Sequence, residues 1–322
     1  MTEFMATRRR QTGEAAQIKG TSLSRKRRFK QNLLLMAMFL PVLAVYIAFR
    51  YAPMGGLIIA FKEYNFRDGV FGSPWIGLDN FQLLFRSPKT LSIIWNTFYL
   101  SLLSLFAGFP VPILLALLLN EVKNTLFKKT VQTIVYIPHF FSWVVVGGIV
   151  TSIFAQESGV VNTVVKYFTG GEPYAFLYQP GSWITIFIGS GIWKEAGFGT
   201  IIYLAALTAI DPSLYEAACL DGAGKWNRMR YITLPGILPT IATVFILSVG
   251  RVMEVGFDKV YMLSNPAVGN ISDVISTYIY RLGIQGTQFS LTTAMGLFES
   301  LVGLILVLLT NRIAGKFGQA LW

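Results

Sequence analysis

Apolar residues in this chain neither alternate nor mark a single helical stripe; they come in long, nearly unbroken runs. The runs cover about 33–50, 92–119, 131–155, 182–209, 236–261 and 291–311, with polar, Gly- and Pro-containing stretches between them. A helix needs ~20 apolar residues to cross a hydrocarbon core, and each run is long enough, the first being the shortest. Pro41, Pro110 and Pro112 fall inside spans, where neighbouring helices can re-satisfy the freed backbone groups. The pattern predicts an all-α membrane protein with six transmembrane helices. It divides into a basic tail, 1–30, and a membrane domain, 31–322.

Composition agrees with the runs. Of 322 residues 53 % are hydrophobic and only 13 % charged, too oily and charge-poor for a soluble protein. One cysteine, Cys219, excludes a disulfide framework and a cysteine-based metal site. A net charge of +11 invites a nucleic-acid reading, but the placement of the charges argues for a membrane instead. Residues 1–31 hold nine Lys+Arg, including Arg8-Arg9-Arg10 and Arg25-Lys26-Arg27-Arg28. No convincing small-x-small cleavage site follows the first run, and Arg50-Tyr51 resembles an interfacial stop, so the first helix is expected to be retained. With an inner N-terminus, inner segments hold 17 Lys+Arg and outer segments 7. By the positive-inside rule both termini are expected in the cytoplasm.

The same count places the stretch Asp211–Pro235 on the cytoplasmic side. Asp211-Pro212 sets a capping residue before a proline at the first helical position. Ser213-x-x-Glu216 offers a competing capping box one turn later. Gly222 and Gly224 provide the permissive backbone that ends a short helix. A second short amphipathic helix is expected from about Lys225 to Ile232, closed by Pro235.

Glu216-Ala217-Ala218, three residues, Gly222, nine residues, then Ile232-Thr233-Leu234-Pro235 resembles the EAA signature of permease subunits of ABC importers. The likeness covers nearly the whole chain after residue 30. It implies the type I importer permease (MetI-like) fold. It also implies that 211–235 is a coupling segment, with Glu216, Ala217, Ala218, Asp221, Gly222, Ile232, Leu234 and Pro235 facing a cytoplasmic ATPase. The segment 50–90, with Gly72-Ser73-Pro74-Trp75 and Gly77-Leu78-Asp79-Asn80-Phe81, resembles the corresponding part of carbohydrate-importer permeases, near those grouped with polysaccharide and alginate uptake. The partners so implied are a second permease forming a hetero-pair, two ATPases and a solute-binding protein, besides membrane lipid and without nucleic acid. The resemblance assigns no cofactor to this chain; ATP and Mg belong to the ATPases.

Nothing in the sequence supports catalysis by the chain itself. Gly224-Lys225 is the nearest approach to a phosphate loop, but Trp226 stands where Ser or Thr is needed. The lone His139 reads as a helix-start residue near the inner interface, with a proton relay as the alternative. Charges inside spans are the informative oddities, because a charge at bilayer centre costs roughly 2.5–3.5 kcal/mol on insertion scales. Lys194 lies about 24 Å from the inner end of the fourth helix and Arg251 about 22 Å from that of the fifth, at ~1.5 Å per residue. Ser248, Arg251, Val255 and Asp258 are spaced as one helix face, with Glu254 beside them. Trp193, Lys194, Glu195, Ser248, Arg251, Glu254 and Asp258 are therefore candidates for a hydrated substrate path. The alternative is an ion-pair cluster, Lys194–Glu195 with Arg251–Glu254, that fixes packing. Glu299, near Gly296, Ser300 and Gly303, reads as part of a small-residue helix contact.

The expected function is therefore a permease subunit forming half of the path for an oligosaccharide, an acidic one if the basic residues read the solute. Two other classes stay open at this stage. A secondary transporter would also carry intramembrane charges, and a membrane scaffold or sensor would explain the basic tail. Neither accounts for the complete signature.

Overall fold

The computed structural model describes residues 25–320, and Arg8, Arg9 and Arg10 of the basic tail lie outside the described residues. The chain divides into two compact units at Leu57/Ile58. In the first, helix α1 (Arg25–Tyr46) passes through Pro41 and continues as a π turn, Ile47–Tyr51, and a 3-10 stretch from Ala52. Its apolar side chains from Leu35 to Met54 are largely exposed, as suits a helix whose solvent is lipid.

The second unit is helical throughout, and among the described residues its only extended pairing is an isolated bridge between Lys62 and Trp75. Its helices are α2 (Asp79–Arg86), α3 (Pro88–Gly108), α4 (Pro110–Glu121), α5 (Thr125–Tyr136), α6 (Trp143–Ile153), α7 (Val160–Thr169) and α8 (Pro180–Thr208). After these come α9 (Pro212–Leu220), α10 (Lys225–Arg228), α11 (Leu234–Gly250), α12 (Phe257–Leu263), α13 (Ile275–Ile279) and α14 (Phe289–Gly315). Four described stretches are long and apolar enough to cross a membrane: Leu35–Phe61, Pro88–Glu121, Lys225–Gly250 and Phe289–Gly315. The number reaches six if two bent pairs, α5–α6 and α8–α9, each count as one span.

Helix α8 is the axis of the second unit, packed along α3 and α4 and touching α5, α6 and α11. One apolar cluster joins Trp183 and Phe187 to Leu100, Val146 and Val260. A second gathers Leu84, Ile93, Ile275 and Met295, and a third Leu117, Tyr203 and Ile237. Small residues bring the helices close: a Cβ at Gly197 of α8 would meet the Val135 carbonyl of α5, and one at Gly303 of α14 would lie 2.8 Å from the Gly250 carbonyl. The small-residue contact expected around Glu299 is thus made through Gly303.

Two expected spans are broken. Pro138 has no N–H and its ring crowds the preceding turn, so the third run loosens into a 3-10 turn, Ile137–Phe140. Ser142 then caps α6, and the chain bends by 103°. His139 consequently sits at an elbow and not at a helix start. The fifth helix stops at Gly250, whose carbonyl lies where a side chain on Gly303 would sit, and the chain turns through Arg251–Met253 before α12 begins at Phe257. Ser248, Arg251, Val255 and Asp258 therefore do not share one helix face.

The segment 58–90 is packed against itself by buried polar contacts. Buried Lys62 donates from Nζ to the Val70 and Phe71 carbonyls at 2.9 and 3.0 Å. Asn80 Nδ2 donates to the Ala60 and Lys62 carbonyls, and Phe61 stacks on Trp75 at 5.7 Å. These bonds satisfy polar groups that the turn-rich sequence brings inside.

Candidate functional site

Two features are candidates: the bent segment after α8 and a charged cavity beside α8. The first begins where Asp211 ends the long helix. Its Oδ1 accepts from the Ser213 N–H at 2.9 Å, with Pro212 at the first helical position. That bond holds the Asp211 carboxyl below its usual value. The competing Ser213–Glu216 box does not form, because Ser213 already lies inside the helix. At the other end Gly222 adopts φ +74°, which only glycine takes without steric cost. Its N–H donates to the Cys219 carbonyl and that of Ala223 to the Ala218 carbonyl, so α9 is closed by a Schellman arrangement.

The return path differs from expectation. Pro235 does not close a separate helix; α10 runs through a π turn, Met229–Thr233, directly into α11. The widened turn accommodates the missing N–H of Pro235. Tyr215 and Thr233 share a hydrogen bond of 2.9 Å, and Arg228 donates to the Cys219 sulfur, so the two arms are tied together. Glu216, Ala217, Asp221, Gly222, Leu234 and Pro235 are exposed, while Ala218 and Ile232 are half-buried. Leu220 is 91 % exposed, and Leu214 and Trp226 are more than half exposed, a cluster of apolar side chains at a polar turn.

The second feature centres on Lys194, buried within α8. Its Nζ donates to the His139 carbonyl and to Glu195 Oε1, both at 2.9 Å. Glu195 Oε2 lies 2.8 Å from His139 Nδ1, and the His139 ring stacks on Phe198 with centroids 3.9 Å apart. The elbow in the third run supplies the carbonyl and imidazole that let a lysine stay buried. Among the described residues Arg251 and Glu254 form no ion pair, and their link is a backbone turn in which the Glu254 N–H donates to the Arg251 carbonyl.

Beside this cluster lies a cavity of about 640 Å³ lined by Glu195, Ser248, Arg251 and Lys259 with aromatic walls from Trp143 and Phe198. An adjoining cavity of about 330 Å³ shares Ser248, Arg251 and Lys259 and adds Glu254. The structure brings together four of the seven path candidates, Glu195, Ser248, Arg251 and Glu254, with Lys194 buried behind Glu195. Trp193 turns away, into an apolar groove with Ile149 and Phe176. Asp258 is exposed in the first turn of α12 and lines neither cavity.

Residues 108–322, which contain both features, match the family described as "Binding-protein-dependent transport system inner membrane component". The chain belongs to this family of transport permeases. It is 46 % identical over 90 % of both chains to the "Polygalacturonan/rhamnogalacturonan transport system permease protein YteP" of Bacillus subtilis (strain 168), and 40 % identical over 93 % of this chain and 94 % of the other to "Protein LplB" of the same organism. Among solved structures it superposes with a TM-score of 0.83 and 44 % identity on a chain of a bacterial alginate ABC transporter in complex with alginate pentasaccharide-bound periplasmic protein. That match covers 91 % of this chain and 98 % of the other.

Two residues have places here that were not assigned from the sequence: His139 behind the cavity, bonded to Glu195, and Lys259 in its lining. His139 is recruited only by the elbow at Ser142, which hydrophobicity does not reveal. Lys259 was signalled more openly, as one of three basic residues inside the apolar runs with Lys194 and Arg251. It lies near the end of its run, where a lysine can also reach an interface.

Proposed function

We propose that this permease forms half of the transmembrane path of an ATP-driven importer and passes an oligosaccharide handed over by a solute-binding protein. One observation carries the reading: the segment 211–235 is a helix closed at both ends, tied to its return arm, and tipped with exposed Leu214, Leu220 and Trp226. A lever that transmits force must be stiff, and a surface that docks a partner must hold unpartnered apolar side chains. Glu216, Ala217, Ala218, Asp221, Gly222, Ile232, Leu234 and Pro235 make up the coupling segment. The ATPases bind ATP and Mg, and their closure moves this lever and switches the cavity from inward- to outward-facing.

The saccharide class is supported by the relatives, one named for polygalacturonan/rhamnogalacturonan transport and one an alginate transporter. A second, different permease completes the path. Both termini lie in the cytoplasm, and the chain sits in the cytoplasmic membrane of a bacterium. The path in this chain is lined by Glu195, Ser248, Arg251 and Glu254, supported from behind by Lys194. Trp193 and Asp258 are assigned to the surface.

The test is uptake and ATPase association in membranes holding normal amounts of Glu216→Ala and Gly222→Val. Both variants should lose transport while still inserting. Gly222→Val should be the worse, because a β-branched residue resists positive φ. Wild-type uptake in both removes the coupling role. Uptake that persists without a co-expressed ATPase points instead to a secondary transporter.

A further inference from the structure

We infer that Lys259 and Arg251 are a carboxylate-reading pair, so that the cavity selects uronate oligosaccharides over neutral ones of the same size. The inference rests on the carbohydrate reading above and adds the charge of the cargo and the residues that sense it.

Lys259 is unusual in what surrounds it. Its ammonium lies 3.7 Å from the centroid of Phe187 and 5.5 Å from that of Trp143. Among the described residues it has no hydrogen bond and no ion pair. Lysine carries three donors and no acceptor, and aromatic faces orient a cation without using those donors. The position is built for it: a Cβ at Gly191 would come within 2.6 Å of the Lys259 Nζ. Arg251 is exposed, and its guanidinium likewise holds no hydrogen bond or ion pair. Both residues line both cavities.

The acids nearby cancel them only in part. Glu195 spends both carboxylate oxygens, Oε1 on Lys194 and Oε2 on His139, and acts on Lys259 only through space, without a direct contact. Glu254 lines only the smaller cavity and pairs with neither cation. Counting Glu195 against Lys194 and Glu254 against one of the pair leaves one uncompensated positive charge facing the space. A planar guanidinium accepts a carboxylate edge-on with two hydrogen bonds, and a lysine adds a point charge. Trp143 and Phe198 offer flat apolar walls for sugar rings. A volume of about 640 Å³ lies in the usual range of small-ligand sites.

The test separates the permease's preference from that of its binding protein. The complete complex, in nanodiscs without binding protein, is assayed by equilibrium dialysis with trigalacturonate and with its carboxyl-reduced counterpart, galactotriose. The wild type should hold the acidic sugar at least about tenfold tighter, the scale of a hydrogen bond to a charged group. Lys259→Gln and Arg251→Gln should each reduce that preference about tenfold, and Lys259→Arg should retain it. Retention of the full preference in both glutamine variants overturns the inference, as does a wild type that binds both sugars equally or neither. The same complex in proteoliposomes with loaded binding protein distinguishes the two levels. Uptake of either sugar upholds the carbohydrate reading whatever the preference, and uptake of neither ends both.

Discussion

A buried lysine is tolerable only if its surroundings are arranged for it, and Lys194 shows how little of that arrangement is local. Glu195 is its sequence neighbour, but the His139 carbonyl and imidazole come from 55 residues away in the chain. The sequence made Lys194–Glu195 a pair; it also paired Arg251 with Glu254, which the turn at Gly250 prevents. The difference is physical, because side chains three apart meet only while the helix continues. Removing one partner of a buried pair typically costs about 3–5 kcal/mol; Glu195 is half exposed, so about 1–3 kcal/mol is expected for Glu195→Ala. Lys194→Ala should cost less than Glu195→Ala, because it leaves no buried cation. The double variant should recover most of the loss. Thermal unfolding of the purified complex decides it, and two additive single losses would show that the pair is not coupled.

Among elements, the existence of helices was legible in the apolar runs and their interruptions were not. Hydrophobicity is blind to the bend at Ser142 and to the stop at Gly250, since both sides of each break are equally apolar. The signals present, Pro138 and Gly250, are tolerated inside other membrane helices, so they become breaks only through tertiary contact. The contact of α8 with α5 is tested by Gly197→Ala: its Cβ meets the Val135 carbonyl, and overpacking costs about 1–3 kcal/mol. Reduced yield and a lower melting temperature are expected, whereas Gly189→Ala, with nothing within 4 Å, should behave as wild type. The cap of α9 is legible down to Asp211, and its pH response follows. Its carboxyl is lowered by the Ser213 N–H, so the stabilisation is present above the unfolded carboxylate value and lost as pH falls through the lowered one. Amide exchange over 211–223 should therefore be flat from pH 7 to 5, after correction for the intrinsic rate, and rise only below about pH 4. Loss of protection near neutrality would mean that another group holds this end.

At the scale of the whole molecule, the proposed orientation rests on charge rather than on packing. From the excess of Lys+Arg, 17 against 7, we propose that 1–31, 120–130, 210–235 and 312–322 share one side of the bilayer. On this proposal the segments 156–181 and 262–290 are expected on the opposite side, available to a binding protein. Because Cys219 is the only cysteine, a Cys219→Ser background is free of thiols. Two probe positions avoid the bonds that hold these segments. Gly171 is exposed just beyond the end of α7, and Ala267 is exposed and uses only its backbone N–H, which donates to Asn265 Oδ1. Asn265 itself would be a poor probe, because its side chain also donates to the Leu177 carbonyl. Leu220→Cys, at the tip of the coupling turn, is the opposite-side control. In intact spheroplasts a membrane-impermeant maleimide should label Gly171→Cys and Ala267→Cys and spare Leu220→Cys, and after lysis all three should react. Labelling of Leu220→Cys in intact cells with protection of the other two would invert the topology, and the coupling segment would then have no ATPase to meet.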